Sequence, residues 1–141
     1  MRSNPEPSTP AMLVSGVDII EIPRVRRVAE RFGQRFLQRI YTEREIAYCR
    51  GRAPQLASRF AAKEAVMKAL GTGIRGVSWR EIEVVRERGR APTIQLHDRA
   101  LARAQTLGIE SLSVALSHSE HYAVAFVVAE STASNTLPRG G

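Results

Sequence analysis

Several things are scarce in this sequence, and each scarcity narrows what the chain can be. There is one cysteine, Cys49, so no internal disulfide can form, and a reducing compartment suits it. No apolar run approaches the roughly 20 residues that a bilayer-spanning helix needs. His118 and His121 stand three residues apart with no cysteine or third histidine nearby, which argues against a zinc site. Lysine is nearly missing: of 21 basic residues only Lys63 and Lys68 are lysine, the rest being arginine. There is no internal repeat. The first ten residues, "MRSNPEPSTP", hold three prolines and no apolar core, so they do not read as a secretory signal. With the polar stretch "STASNTLPRGG" at the other end, they are expected to be disordered arms, 1–11 and 131–141, around a single domain at 12–130.

What is present is a soluble globular composition with an excess of positive charge. The formal net charge is +7 and the pI about 10.7. That balance favours an anionic partner: nucleic acid, a membrane surface, an acidic protein or a phosphorylated small molecule. Charge alone does not choose among them.

The stretch "MLVSGVDII" (12–20) is β-branched and apolar on both faces, so it predicts a buried strand. Pro23 suits the first turn of a helix with Val25, Val28, Ala29 and Phe32 on one face and Arg24, Arg27 and Arg31 on another. "RFLQRI" (35–40) continues as a short helix, and Thr42 with Glu45 forms a capping box for a helix to about Tyr48. A long helix is expected over 53–70, with Gly71 as its stop. "EIEVVRE" (81–87) and "PTIQL" (92–96) predict two strands, "HDRALARAQTLG" (97–108) a further helix, and "LSVALSH" (112–118) with "YAVAFVV" (122–128) a hairpin. His97 is expected to be solvent-exposed at its helix start, and Trp79 to serve packing. Strands and helices do not alternate strictly. The order predicts an α+β fold, an antiparallel or mixed sheet packed with a long central helix.

Two carboxylates stand where apolar residues would be cheaper. Asp18 interrupts an apolar strand, and Glu64 lies on the flank of the long helix. Each also has an ordinary reading, Asp18 as a strand-end residue or helix cap, and Glu64 as the partner of Lys68 in a surface pair. Lys63 falls in the middle of the stripe made by Leu56, Phe60, Met67 and Leu70 when the helix is drawn at about 100° per residue. Together, two carboxylates beside lysines can hold Mg²⁺ against phosphates, since Mg²⁺ takes oxygen ligands and often keeps only one or two carboxylates. The loop "GTGIRG" (71–76) follows a helix, where the dipole end is negative, so it is not a standard phosphate cradle, although close backbone approach to a nucleotide remains open. His118, at the hairpin turn, suits a hydrogen bond or an anion contact.

These residues carry a resemblance. "GVDIIEIPR" (16–24), "FAAKEAVMKALGTG" (60–73) and "VALSHSEHYAVAFVV" (114–128) resemble, in order and spacing, three motifs of the holo-[acyl-carrier-protein] synthases, the short type of 4′-phosphopantetheinyl transferase. The resemblance covers about 13–130, while 78–109 matches in outline only. It implies transfer of 4′-phosphopantetheine from coenzyme A to a serine of apo acyl carrier protein, releasing adenosine 3′,5′-bisphosphate, in cytoplasmic fatty acid biosynthesis. It further implies Mg²⁺ on Asp18 and Glu64, with Lys68 on phosphate as the third catalytic residue. Arg59, Lys63, Gly71, Thr72, Gly73 and His118 would join Lys68 in binding coenzyme A, and Arg24, Val25 and Arg31 would grip the carrier. The short members are homotrimers with the site between subunits, so His118 would serve a neighbour's site. Lys63 and Glu64 would then interrupt the apolar stripe because the helix flank faces metal, nucleotide and neighbour. Three groups are candidates for taking the serine proton: Glu64, Lys68 and a metal-ordered water.

Two other readings compete. A nucleic-acid-binding module without catalysis accounts for the arginines, but not for Asp18, Glu64 or the placement of the lysines, and no RNP-like or zinc-finger pattern is present. A double-length transferase of the same chemistry is disfavoured by length. The resemblance carries no nucleic acid and no membrane as partner.

Overall fold

The structure, a computed structural model, describes residues 11–132. The disordered arms expected at the two ends fall almost wholly outside that range. Three antiparallel strands form the main sheet: β1 (Met12–Glu21), β4 (Ser113–His118) and β5 (Tyr122–Ser131), in the order β1-β5-β4. A two-stranded antiparallel ribbon is made by β2 (Ile82–Val85) and β3 (Thr93–Leu96). Between β1 and β2 run α1 (Ile22–Phe32), α2 (Gln34–Ile40), α3 (Glu43–Cys49) and α4 (Ala53–Leu70), and α5 (Asp98–Thr106) links β3 to β4. The α+β expectation holds, and so do the limits of the long helix.

Local chemistry explains the punctuation. Pro23 lies in the first turn of α1, where its missing N–H costs nothing. Thr42 and Glu45 close a reciprocal capping box at the start of α3. Gly71 ends α4 in the left-handed conformation at φ 67°.

Helix α4 lies across one face of the sheet, against β1 and β5. A run of small residues, Ala57, Ala61, Ala65 and Ala69, follows an i, i+4 spacing and is buried. Gly16 on β1 meets that run: a methyl in place of its hydrogen would fall 1.9 Å from the Ala65 carbonyl oxygen. Only glycine lets helix and strand approach so closely, and Asp18 lies two residues further along the same face. Two apolar clusters flank the helix. Val66, Leu70, Ala100 and Val127 belong to one, Ile22, Val25, Tyr41 and Leu56 to the other, and Ile20 and Trp79 pack against both.

One expectation is corrected. β1 is expected to be buried on both faces, but among the described residues only the α4-facing side is covered. On the other, Leu13 is 72% exposed, Val17 53% and Ile19 63%, and Phe126, opposite Val17 in the register, is 47% exposed. The alternation along a strand puts these side chains on the face that no helix among the described residues covers.

Candidate active site

A cleft of about 330 Å³ opens between β1, α1, α2 and α4. Asp18 and Glu64 line it together with Arg24, Val25 and Val28 of α1, and Phe36 and Phe60 complete its apolar wall. The fold thus brings both carboxylates to one place from positions far apart in the chain. Lys68, one helical turn beyond Glu64, donates to the Val17 carbonyl at 2.9 Å and to Asp18 Oδ1 at 3.3 Å. The ordinary reading of Lys68 as the surface partner of Glu64 gives way to this contact across 50 residues of chain. Glu64 is half-buried. Burial pushes its carboxyl above the ordinary range, the negative charge of Asp18 adds to the rise, and Lys68 and Arg24 oppose it. Two carboxylates sharing a cleft, one of them with its carboxyl held above the ordinary range by burial, make a site that a cation would relieve.

Lys63 does not belong to this cleft. Its side chain is wholly buried, and its Nζ donates to Glu45 Oε1 at 2.7 Å, to the Trp79 carbonyl at 3.1 Å and to the Ile82 carbonyl. Glu45 in turn accepts the N–H groups of Thr42 and Val84, both at 2.9 Å. All three ammonium protons are spent inside the subunit. The expected roles of Lys63, binding coenzyme A and facing a neighbour, are therefore corrected to a structural one: it ties α4 to α3 and β2. Burial lowers the affinity of the amine for its proton, and Glu45 opposes that effect.

A second cavity, about 250 Å³, lies on another side of α4. Arg59 and His118 line it with Tyr48, Gln55, Ser58, Arg86 and Leu116. Arg59 and Glu64 are five residues apart, about 140° around a helix, so they face different ways. The structure consequently brings Asp18, Glu64, Arg24 and Val25 into one cavity, and Arg59 and His118 into another.

The remaining expected residues sit elsewhere. Gly71–Gly73 forms the exit of α4, where Thr72 donates its N–H to the Met67 carbonyl at 3.0 Å and buries a hydroxyl that has no partner among the described residues. Arg31 lies over the ring of Phe32 at 5.2 Å, outside the Asp18–Glu64 cleft. His97 was expected in solvent, but its Nε2 lies 3.0 Å from Glu83 Oε1. Sequence reading missed Tyr48, Ser58 and Arg86, because nothing local marks a residue whose role lies in contact with a distant helix.

The comparisons with known proteins meet this geometry. The family model of the 4′-phosphopantetheinyl transferase superfamily matches residues 15–127. The chain is similar to the holo-[acyl-carrier-protein] synthase of Koribacter versatilis, 50% identical over 123 residues, covering 84% of this chain and 98% of that one. It is likewise similar to that of Herpetosiphon aurantiacus, 51% identical over 124 residues, covering 83% and 98%. Among solved structures, the Helicobacter pylori holo-[acyl-carrier-protein] synthase in complex with coenzyme A has a TM-score of 0.74 at 34% identity, covering 82% of this chain and 98% of that chain. The Bacillus anthracis enzyme, in complex with coenzyme A (3′,5′-ADP), has a TM-score of 0.71 at 34% identity, covering 86% and 99%.

Proposed function

The chain belongs to the 4′-phosphopantetheinyl transferase superfamily, and from that premise we propose that it is a holo-[acyl-carrier-protein] synthase. It transfers 4′-phosphopantetheine from coenzyme A to a serine of apo acyl carrier protein. The serine oxygen bonds to the phosphorus bearing the pantetheine arm, the bond from that phosphorus to the bridging oxygen breaks, and adenosine 3′,5′-bisphosphate leaves with that oxygen. The serine proton passes to a base. The observation that carries the reading is the meeting of Asp18, Glu64 and Arg24 in one cleft, with Lys68 bonded to Asp18 beside it.

The residues present fit Mg²⁺. Asp18 and Glu64 offer hard oxygen donors, and no group of three or more metal-ligating side chains occurs among the described residues. Substrate oxygens and water would complete the shell, as Mg²⁺ prefers. When bound, the ion supplies neutralisation of charge on the pyrophosphate. Lys68 adds a positive charge at the cleft's edge, more than half of its side chain being open to solvent, and Arg24 adds another. Positioning and electrostatics of this kind carry most of phosphoryl transfer. Val25, Val28, Phe36 and Phe60 give the cleft an apolar wall suited to the pantetheine arm or the serine-bearing carrier segment. Arg24 and Arg31 on α1 suit an acidic carrier.

The enzyme acts as a homotrimer, in the cytoplasm, in fatty acid biosynthesis. The uncovered apolar face of the sheet supports self-association, since such patches on a soluble protein mark interaction surfaces. The separation of the Arg59–His118 cavity from the Asp18–Glu64 cleft supports a site completed by a neighbouring copy. Light scattering should give three chains per particle; a monomer across the working concentration range would remove the shared site.

The deciding experiment weighs the carrier. Incubated with coenzyme A, Mg²⁺ and this protein, apo acyl carrier protein should gain the mass of phosphopantetheine. Steeply salt-dependent DNA binding with no Mg²⁺-dependent transfer would support the nucleic-acid reading instead.

A further inference from the structure

Helices α3 and α4 are joined by two rungs. The first is the buried Glu45–Lys63 pair. The second lies one turn along each helix: Tyr48, three residues after Glu45, places its ring against Arg59, four residues before Lys63, with the guanidinium carbon 4.5 Å from the ring centroid. Arg59 is 4% exposed. Its Nη1 donates to Ser58 Oγ at 3.1 Å, whereas Nη2 is buried and has no hydrogen-bond partner among the described residues. Among the described residues no carboxylate pairs with it, and none lines the cavity that it faces. A buried guanidinium without a counter-charge is costly unless an anion arrives. The cavity offers that anion two further groups, Arg86 and His118.

A second guanidinium, Arg52, lies 5.4 Å from the Tyr48 ring centroid. Arg52 is anchored at the C-terminus of α3, where Nε donates to the Cys49 carbonyl at 2.9 Å and Nη2 to the Tyr48 carbonyl at 2.7 Å. The capping box at one end of α3 and the Arg52 hydrogen bonds at the other hold the short helix that carries Tyr48.

We propose that Tyr48 is a positioning residue for coenzyme A: its ring holds the Arg59 guanidinium flat, with Nη2 presented to the 3′-phosphate. This rests on the function proposed above: with the pyrophosphate at the Asp18–Glu64 cleft, the 3′-phosphate is the coenzyme's remaining anion for a separate cationic cavity. Tyr48 reaches the substrate only through Arg59. The interaction needs an aromatic face and no hydroxyl, since cation–π attraction comes from the ring quadrupole. It is stronger for a cation withdrawn from solvent, as Arg59 largely is.

The test is calorimetric binding to the full-length protein, with coenzyme A and dephospho-coenzyme A as probes and without turnover. Wild type should bind coenzyme A more tightly than dephospho-coenzyme A. Tyr48→Ala should weaken coenzyme A about tenfold and leave dephospho-coenzyme A unchanged, so that the preference collapses. Tyr48→Phe should keep both affinities. In steady state the same loss should fall on KM for coenzyme A, with kcat nearly unaltered. Equal weakening of both ligands by Tyr48→Ala would make the residue a support of the fold and overturn the proposal. A Tyr48→Phe variant as weak as Tyr48→Ala would overturn the ring's role, and a wild type without preference would overturn the role of Arg59. A wild type that binds neither ligand would overturn the proposed function itself, a failure distinguishable from the others.

Discussion

Lys63 and Glu64 are consecutive residues of one helix with opposite fates. Lys63 faces α3 and β2 in a dry compartment, where each ammonium proton has an acceptor and Glu45 accepts two backbone N–H groups as well. Glu64 faces β1 and α1, half-buried beside a second carboxylate in an open cleft. Lys63 has its charge satisfied within the subunit, while Glu64 is left to share its cleft with a second carboxylate. A fully satisfied buried charge serves structure, because nothing remains with which to hold a ligand. A carboxylate pair in an open cleft, with cationic groups at its edge, is where a cation and a phosphate gain most.

Breaking each side should give opposite phenotypes. On the cleft side, Asp18→Ala or Glu64→Ala should lower Mg²⁺-dependent transfer by about a thousandfold or more, equivalent to about 4 kcal/mol of barrier. Thermal unfolding should stay near wild type or rise slightly, since each change relieves repulsion. Near-native turnover of either variant at saturating Mg²⁺ would end the metal assignment.

On the dry side, Lys63→Met should destabilise the protein by about 3–5 kcal/mol, because Glu45 would be left charged and unpaired in the core. Adding Glu45→Gln should recover a large part of that loss in denaturant titrations. The folded fraction should keep its affinity for coenzyme A. A weaker affinity in that fraction would return Lys63 to the binding site.

A third carboxylate sharpens the contrast through pH. Burial works against ionisation of Glu81, but hydrogen bonds from Ser78, Arg99 and the Ala100 N–H outweigh it and hold the carboxyl at about 2. Its folded pKa lies below the unfolded value, so the unfolded chain binds the extra proton. The stabilisation, about 3 kcal/mol, is complete above the unfolded pKa and is lost as pH falls from about 4.5 towards 2. Glu64 is shifted the other way and contributes nothing to that acid loss. Glu81→Gln should flatten stability over this acid range in urea melts, whereas Glu64→Gln should leave the slope intact.

The smallest effect belongs to the arginine face of α1. Arg24→Glu and Arg31→Glu should each weaken the carrier by about three- to tenfold at low salt, with the difference shrinking as salt rises. Coenzyme A affinity and the rate at saturating carrier should change less, Arg24 affecting them more than Arg31 because it lines the cleft. Unchanged carrier affinity in both variants at low salt would move the carrier to another surface.

Much of this was legible from residues alone. Pro23, the Thr42–Glu45 capping box and Gly71 mark helix ends through chemistry confined to a few neighbours. The motif 60–73 and the aspartate in an apolar strand pointed to the two carboxylates. What stayed hidden was partnership. Nothing within a turn of Lys63 foretells Glu45, 18 residues earlier, and nothing near Asp18 foretells Lys68. The helical projection put Lys63 on the apolar stripe, which was right about burial and silent about its compensation. The same limit hid Tyr48 and the open outer face of β1.

By itself, then, the sequence determined where helices and strands begin and end, because dihedral preference, capping and apolar period act over a few residues. It also determined that two carboxylates would be held against apolar surroundings. The tertiary structure decided which charge would be spent and which left available, for that depends on what arrives from 18 or 50 residues away. Gly16 shows how finely: with no side chain there, α4 settles onto β1, and the distance between them sets how Asp18 meets Lys68 and Glu64.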